Sequence, residues 1–418
     1  MEISEVTYHQ YMANAKPAAA EMTIKALAAD SLSAGAVLAV GLAAAAVAVG
    51  WPAGASAQDR FIARGQEGGF QTPVNSGDVI PLPTGRAGEP GFYCGSEFVM
   101  LTQTRALGRQ DIAYYGFFDA QGLITGTPGN FVGTGAVALN TNNMGRREFQ
   151  PGFRAELGYK FDTGTRIYAN YLQLYDAHYS LGVTQFTRGF RAAPNLSNTF
   201  LSSPVFNFTT AFSGPEVDTA YDAPNAGFNT AGIWNAADVM DSKFTQRYQQ
   251  AELGMRVPLY QTEYSSVYGL SGARFAWFFE RYSWRTVDLD ATGNSAPQNA
   301  ARYTNTLSQR MYGLFVGCGH EVYLGNMFSA SLDLTAAAYM NVHKERAKYV
   351  LEDNTTQSKF GREGFDIVPS GTADFNLWMY PVEGVQLKLG YSGMTFFNTR
   401  YMRDPVGFNF GNIDPLYD

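Results

Sequence analysis

The sequence has few charged residues. Asp, Glu, Lys and Arg make up 16% of its 418 residues, whereas soluble proteins usually contain about 25%. Lys and Arg number 30 against 37 Asp and Glu, which gives a net charge of −7. Because proteins that bind nucleic acids usually present a strongly basic face, this acidic balance argues against nucleic acid as a partner.

Cysteine and histidine are also scarce. Cys94 and Cys318 are too few for a disulfide framework, and the four histidines do not lie at metal-ligand spacing from one another. The segment 288–294 resembles the start of a calcium-binding loop, but its twelfth position is Asn299 instead of the glutamate that would bind the ion through both oxygens. The sequence therefore predicts no metal site and no cofactor.

The motifs of the common enzyme classes are missing. The sequence contains no G-x-S-x-G elbow, no HExxH motif and no glycine-rich phosphate-binding loop. Asp176 and His178 are the only acid–histidine arrangement to consider, and we interpret them as polar residues at a strand end. The sequence therefore predicts no catalytic residues and no enzyme activity.

Long apolar runs are limited to one, at residues 34–50. The run is followed by Ala55-Ser56-Ala57, and small residues at these positions after an apolar segment are typical of signal-peptidase cleavage. We predict a signal peptide over residues 1–57, with Met22 as an alternative start, and then a periplasmic linker at 58–91. A single transmembrane anchor is the alternative interpretation of the run.

Aromatic residues and glycine are abundant instead. Phe, Tyr and Trp make up 14% of the chain and glycine contributes 44 residues, while the mean hydropathy is slightly below zero. From Phe92 onward, apolar and polar residues alternate with the two-residue period of a β-strand. The clearest example, residues 149–161, places Phe and Leu on one face and Arg, Glu and Lys on the other. This pattern is typical of strands with one face in lipid and the other in water.

The connections between the predicted strands alternate in length. Short turns join the strands of four hairpins, and the long connections are residues 104–148, 182–246, 285–306 and 344–365. Short periplasmic turns and long external loops are typical of closed outer-membrane barrels. We therefore predict an all-β antiparallel transmembrane β-barrel over residues 92–418, with about ten strands within a range of eight to twelve. Nine strands are visible in the pattern, and the tenth is expected between Tyr401 and Phe410.

The polar faces of these strands carry charges of both signs. The residues predicted to point into the lumen are Arg154, Glu156, Lys160, Arg166, Glu252, Arg256, Arg274, Glu280, Asp333, Asp374 and Lys388. One interpretation is a water-filled pore lined by these charges, and the other is a narrow barrel plugged by salt-bridged side chains. In the same frame, Leu157, Leu253 and Leu334 are expected to face lipid.

Three segments resemble a known family. Residues 92–101 (FYCGSEFVML), 149–164 (FQPGFRAELGYKFDTG) and 385–398 (VQLKLGYSGMTFFN) resemble the first strand, a hairpin and the last strand of pore-forming outer-membrane proteins of the Legionella type, which have many planctomycete relatives. The resemblance implies an outer-membrane β-barrel with pore activity, monomeric or oligomeric, and no catalytic residues. The terminal aromatic residue usual in such barrels is missing, because the chain ends Tyr417-Asp418.

The leading functional prediction is an exported outer-membrane barrel that acts as a passive pore for small hydrophilic solutes. The alternative is a non-conducting barrel that presents long external loops for structural or surface contacts, and a soluble secreted β protein is a third possibility. The expected partners are outer-membrane lipid and, through external loops such as 182–246, identical subunits or surface partners.

Overall fold

The computed structural model describes residues 90–408 with several gaps. The gaps are residues 104–106, 120–124, 128–129, 145–148, 186–199, 205–232, 236, 263, 290–292, 326, 355 and 383–384. The predicted signal peptide and residues 58–89 of the predicted linker lie outside the described residues. No helix in the described part of the chain is long and apolar enough to cross a membrane.

Fifteen β-strands account for most of the described chain. In chain order they are β1 (Gly91–Leu101), β2 (Asp111–Tyr115), β3 (Phe117–Asp119), β4 (Asn130–Val132), β5 (Val137–Asn140), β6 (Gln150–Lys160), β7 (Arg166–Leu174), β8 (Ala177–Thr184), β9 (Leu201–Ser202), β10 (Val239–Gln261), β11 (Ser265–Val287), β12 (Ala300–Gly325), β13 (Phe328–Leu351), β14 (Thr356–Val382) and β15 (Val385–Phe396).

Ten of these strands form one antiparallel sheet, in the order β1-β6-β7-β10-β11-β12-β13-β14-β15, with β8 also paired to β10. Since β7 and β8 pair with successive parts of β10, the sheet is nine positions wide. Its two edge strands approach each other, and Lys388 Nζ on β15 lies 2.8 Å from Glu97 Oε1 on β1. The sheet is thus nearly closed into a barrel of nine to ten strands, which confirms the predicted all-β barrel fold.

The connections at one end of the barrel are short, as predicted, whereas those at the other end range from four residues, between β13 and β14, to segments that contain further strands. The pairs β6–β7, β10–β11, β12–β13 and β14–β15 are joined by turns of two to five residues. At the opposite end, the connection from β1 to β6 contains β2 to β5, and the connection from β8 to β10 contains β9. We call the two ends the turn end and the loop end.

Strands β10 to β14 are 23 to 27 residues long and extend further towards the loop end than predicted. Their polarity inverts about halfway. Near the turn end, β10 directs Leu253 outward and Glu252 inward, whereas near the loop end it directs Lys243 outward and Phe244 inward. The predicted bounds of the connections at 182–246, 285–306 and 344–365 are therefore wrong, because strand residues with inverted polarity were assigned to loops.

An apolar core fills the loop-end half of the barrel. Strands β2, β5 and β9 form a small separate sheet, and their residues pack with inward side chains of the long strands in one buried cluster. Trp234 lies at its centre, with its ring centroid 4.4 Å from that of Trp284 and its indole N–H donated to the Tyr349 hydroxyl at 2.8 Å. This half of the barrel therefore has the interior of a soluble protein.

The tenth strand predicted between Tyr401 and Phe410 is wrong for its described residues, because residues 401–408 form no strand. Instead, the segment 400–406 lies against the inner face of the loop-end half, with Met402, Pro405 and Val406 buried and Arg403 and Asp404 exposed. The carbonyl of Arg400 accepts a hydrogen bond from Gln309 Nε2 at 2.9 Å, and the carbonyl of Pro405 accepts one from Asn305 Nδ2 at 3.2 Å. The backbone of this segment is therefore hydrogen-bonded to inward side chains, and not to the backbone of a neighbouring strand.

Candidate functional site

The outer wall nearer the turn end is apolar. Outward residues of neighbouring strands stand opposite one another in rows, such as the row of Phe275, Tyr312 and Met340. We call this surface the apolar belt, and its boundaries are the row of Val267 on the side of the turn end and the row of Trp277 on the side of the loop end. Between those two rows, the described residues of β10 to β14 direct no Asp, Glu, Lys or Arg outward. Ten residues of strand span about 34 Å, or about 25 Å in height at the usual tilt of about 40–45°.

Aromatic and charged side chains mark the upper boundary of the apolar belt. Trp277 donates its indole N–H to Ser308 Oγ at 3.0 Å. Arg247, one row higher, donates hydrogen bonds to Asp176 at 2.7 and 2.6 Å, and its guanidinium carbon lies 5.6 Å from the centre of the Trp277 ring. Above these residues the outer wall is polar.

The charged residues predicted for the lumen lie on the inner face of the wall, and several of them contact strands that are not their neighbours. Arg256 on β10 contacts Asp333 on β13, and Arg274 on β11 contacts Thr372 on β14. The set on the inner face is Arg154, Glu156, Lys160, Arg166, Glu252, Arg256, Arg274, Glu280, Asp333, Asp374 and Lys388. That these residues line a conducting pore stays a prediction.

One deeply buried ion pair of this interior is Glu252 with Arg274. Arg274 Nε lies 2.5 Å from Glu252 Oε2, and both side chains are only 6% exposed. Glu252 also accepts a hydrogen bond from the Tyr168 hydroxyl, with 2.8 Å between the two oxygens. Arg274 donates hydrogen bonds to the hydroxyls of Thr335, at 3.4 Å, and Thr372, at 3.2 Å. The pair therefore bridges from β7 to β14 across the interior.

A second network lies closer to the turn end. Asp333 accepts a hydrogen bond from the Tyr268 hydroxyl and pairs with Arg256 at 3.5 Å. The guanidinium carbon of Arg256 lies over the Tyr268 ring, 3.6 Å from its centre. Glu97 on β1 pairs with Arg154 on the neighbouring strand β6 and, across the gap between β1 and β15, with Lys388. The inward charges are thus mostly paired with each other rather than left free for solvent.

Tyrosine rings lie flat over glycines of the adjacent strands. Tyr168 covers Gly254 and Tyr268 covers Gly319, so that a Cβ at either glycine would overlap the ring. The same arrangement joins Tyr93 to Gly158. The sequence analysis did not predict these contacts. The glycines on the polar faces of the strands, opposite tyrosines of the adjacent strands, are the sequence feature that indicates them. Rings placed in this way fill the lumen along its wall.

The interior charges extend up to the C-terminal segment. Glu280 accepts one hydrogen bond from Gln246 Nε2 and another from the backbone N–H of Met402, both at 3.0 Å. Above them, Gln110 and Val406 exchange two hydrogen bonds, at 2.7 and 3.1 Å. The sequence reading missed this contact, since nothing periodic connects residues so distant in the chain.

Ion pairs also tie the loop ends of the strands together. Arg285 bonds to Glu352 and lies 3.7 Å from Asp241, and Arg302 lies 3.5 Å from Glu352. The hydrogen bond from Arg285 holds the pKa of Glu352 below its usual value, and the charge of Arg302 adds to this effect. Burial raises the pKa of Asp241, although Arg285 opposes the shift.

The other arrangements that the sequence suggested are not assembled among the described residues. His178 Nδ1 lies 3.2 Å from Thr245 Oγ1, while Asp176 bonds to Arg247, so the two residues do not form an acid–histidine pair. Among the described residues, no group of three His, Cys, Asp or Glu could hold a metal ion. Residues 290–292 of the calcium-like segment lie outside the described part. Cys94 and Cys318 are unpaired.

Comparisons with protein-family models, with curated proteins and with solved structures find no match. The function therefore has to be argued from the barrel itself.

Proposed function

We propose that the chain is an outer-membrane β-barrel whose apolar belt contacts lipid. The support is the exposure of large apolar side chains on the outer wall, with Leu314 at 72% and Leu389 at 74%. A soluble barrel would expose this much contiguous apolar surface only at a binding site. The height of the belt, about 25 Å, matches the apolar band of known membrane barrels. In this frame the turn end is periplasmic and the loop end is external.

We further propose that the barrel is non-conducting and serves a structural or surface-contact role. The observation that carries this proposal is the segment 400–406, which lies against the inner face and is hydrogen-bonded to Asn305, Gln309 and Glu280. Barrels of about eight strands have interiors just wide enough for side chains to fill, and this sheet is nine positions wide. Between this segment and the turn end, the paired charges and the tyrosine rings occupy the interior of the barrel.

The external half then has a function of its own. Its inner side is a buried core and its outer side is polar, so it would stand above the lipid as a rigid, soluble-like extension that carries the long connections. A rigid scaffold is a good support for loops that contact partners. Contacts with neighbouring cells, envelope components or identical subunits would use this extension.

A passive pore for small hydrophilic solutes is the second candidate. It is favoured by the charges on the inner face, which include both signs at the same level of the barrel, as in Arg256 and Asp333. The resemblance to pore-forming outer-membrane proteins favours it as well and stays a prediction.

Electrical recording separates the two candidates. The purified full-length protein is inserted into planar lipid bilayers, and insertion is verified by flotation with vesicles and by heat-modifiable gel mobility. The non-conducting proposal expects folded, membrane-inserted protein without conductance steps. Regular steps from protein of verified insertion would overturn it in favour of the pore, and failure to float with vesicles would overturn the membrane proposal.

A further inference from the structure

The outer wall directly above the apolar belt carries unpaired arginines around a strip of short hydroxyl side chains. On β12 the outward residues Thr306 and Ser308 lie between the flanking strands β11 and β13. Arg281 on β11 and Arg346 on β13 are both directly opposite Thr306 in the ladder, and Arg310 lies four residues from Thr306 along β12. We call these five residues the arginine trough.

The three arginines of the trough are available to a ligand. All three are exposed, and none forms a direct ion pair among the residues that the structure describes, although Arg346 lies close enough to Glu363 for its charge to lower the pKa of that carboxyl. Two other cations of the same wall are paired, since Arg247 pairs with Asp176 and Lys344 pairs with Glu363. An unpaired guanidinium presents a planar set of donors that suits phosphate oxygens.

The geometry of the trough suits an anion that carries more than one phosphate. Neighbouring strands are about 4.8 Å apart, so the backbones at Arg281 and Arg346 are about 10 Å from each other across Thr306. Arg310 starts about 13 Å lower, in the row of Trp277 that ends the apolar belt. The hydroxyls of Thr306 and Ser308 can donate to the same oxygens.

We propose that the arginine trough binds the phosphate groups of an outer-leaflet lipid headgroup. This proposal rests on the proposed membrane function, because it is the apolar belt that brings headgroups to the level of the trough. The occupant has to be anionic, to extend upward from the acyl chains that cover the belt, and to present phosphate oxygens over several rows of the wall. A phosphorylated glycolipid meets these conditions, and its acyl chains would lie on residues such as Tyr312 and Met340.

The test compares a bis-phosphorylated lipid A with its dephosphorylated form. Binding of each lipid to the detergent-solubilised full-length protein is measured by native mass spectrometry. The triple variant Arg281→Gln/Arg310→Gln/Arg346→Gln is compared with a control that removes three exposed cations outside the trough, Arg109→Gln/Lys243→Gln/Lys359→Gln. We expect the phosphorylated lipid to bind the trough variant at least tenfold more weakly than it binds the wild type and the control.

Further arms keep the result interpretable. The wild type should bind the dephosphorylated lipid as weakly as the trough variant binds the phosphorylated one, which tests the proposal even if that variant fails to fold. Inorganic phosphate at millimolar concentration should not displace the lipid, and full displacement would identify a site for free phosphate instead. Equal binding of the two lipids by the wild type, or equal losses in the trough and control variants, would overturn the proposal.

Protein that floats with vesicles yet shows no preference between the two lipids refutes the trough alone, whereas protein that does not float refutes the membrane function.

Discussion

The buried pair of Glu252 and Arg274 gives the sharpest test of a filled interior. Replacing Arg274 by Met removes the cation and leaves the Glu252 carboxylate with the Tyr168 hydroxyl as its remaining described partner. Removing one member of a buried ion pair typically costs about 3–5 kcal/mol, because the other charge is left uncompensated. Both side chains here are 6% exposed, so the full range should apply.

The double variant Glu252→Leu/Arg274→Met provides the matched comparison. Apolar replacement of both members of a buried pair is often neutral or stabilising. We therefore expect the double variant to lie within about 2 kcal/mol of the wild type, despite the large loss in the single variant. The free energy of unfolding would be measured by urea titration of the protein in lipid vesicles, with fluorescence and gel mobility as independent readouts.

A water-filled lumen gives the opposite expectation. Solvent-exposed ion pairs contribute only about 0–1 kcal/mol. If Arg274→Met costs less than about 1 kcal/mol and the two substitutions add without coupling, the pair is hydrated and the argument for a filled interior is refuted.

Three further predictions concern the two faces, the loop end and the tyrosine contacts. Leu334→Arg places a charge on the apolar belt, one outward row above its lower edge, where the cost is below the range of about 2–4 kcal/mol found at the bilayer midplane. This variant should impair assembly in heat-modifiable gel mobility, whereas Asp333→Asn should assemble, and the reverse outcome would exchange the two faces. The folded-state pKa of Glu352 is lowered, so its stabilising effect is present above the unfolded pKa of about 4.3 and is lost as pH falls through the folded value. Thermal unfolding should therefore separate the wild type from Glu352→Gln at pH 7, and the difference should shrink as the pH falls below about 4.3 and vanish below the lower pKa of the folded state. Gly254→Ala should lower the thermal midpoint because its Cβ meets a tyrosine ring, while Gly393→Ala, whose Cβ would meet only the Ala373 carbonyl oxygen at 4.0 Å, should not.

Local alternation was sufficient to predict the hairpins and the inner face. Side chains alternate strictly along a strand, so identifying Leu253 as lipid-facing also fixed Glu252 and Arg256 as inward. The same reasoning failed at the loop end, where the polarity inverts and apolar residues such as Phe244 and Tyr248 turn inward. The prediction followed apolar residues on the outer face, and these residues end where the polarity inverts, although the strand continues beyond that point.

Contacts between distant parts of the chain were beyond the sequence reading. The C-terminal segment is held by side chains such as Asn305 and Gln309, about a hundred residues earlier. Pairing between distant residues of this kind has no period and no motif. The charges of the lumen were therefore predicted correctly as inward, but their partners, which favour a closed interior, were not.

Spin labelling along β13 in lipid vesicles tests the central claim, a barrel in lipid with a filled interior. After replacement of Cys94 and Cys318, nitroxide labels are placed singly at residues 332–340, and their accessibility to oxygen and to a water-soluble nickel complex is measured. The account predicts high oxygen accessibility at every second, outward residue and low accessibility to nickel at all positions. Nickel accessibility at the inward positions would establish a water-filled lumen, and the absence of a two-residue period in oxygen accessibility would contradict the membrane-spanning belt.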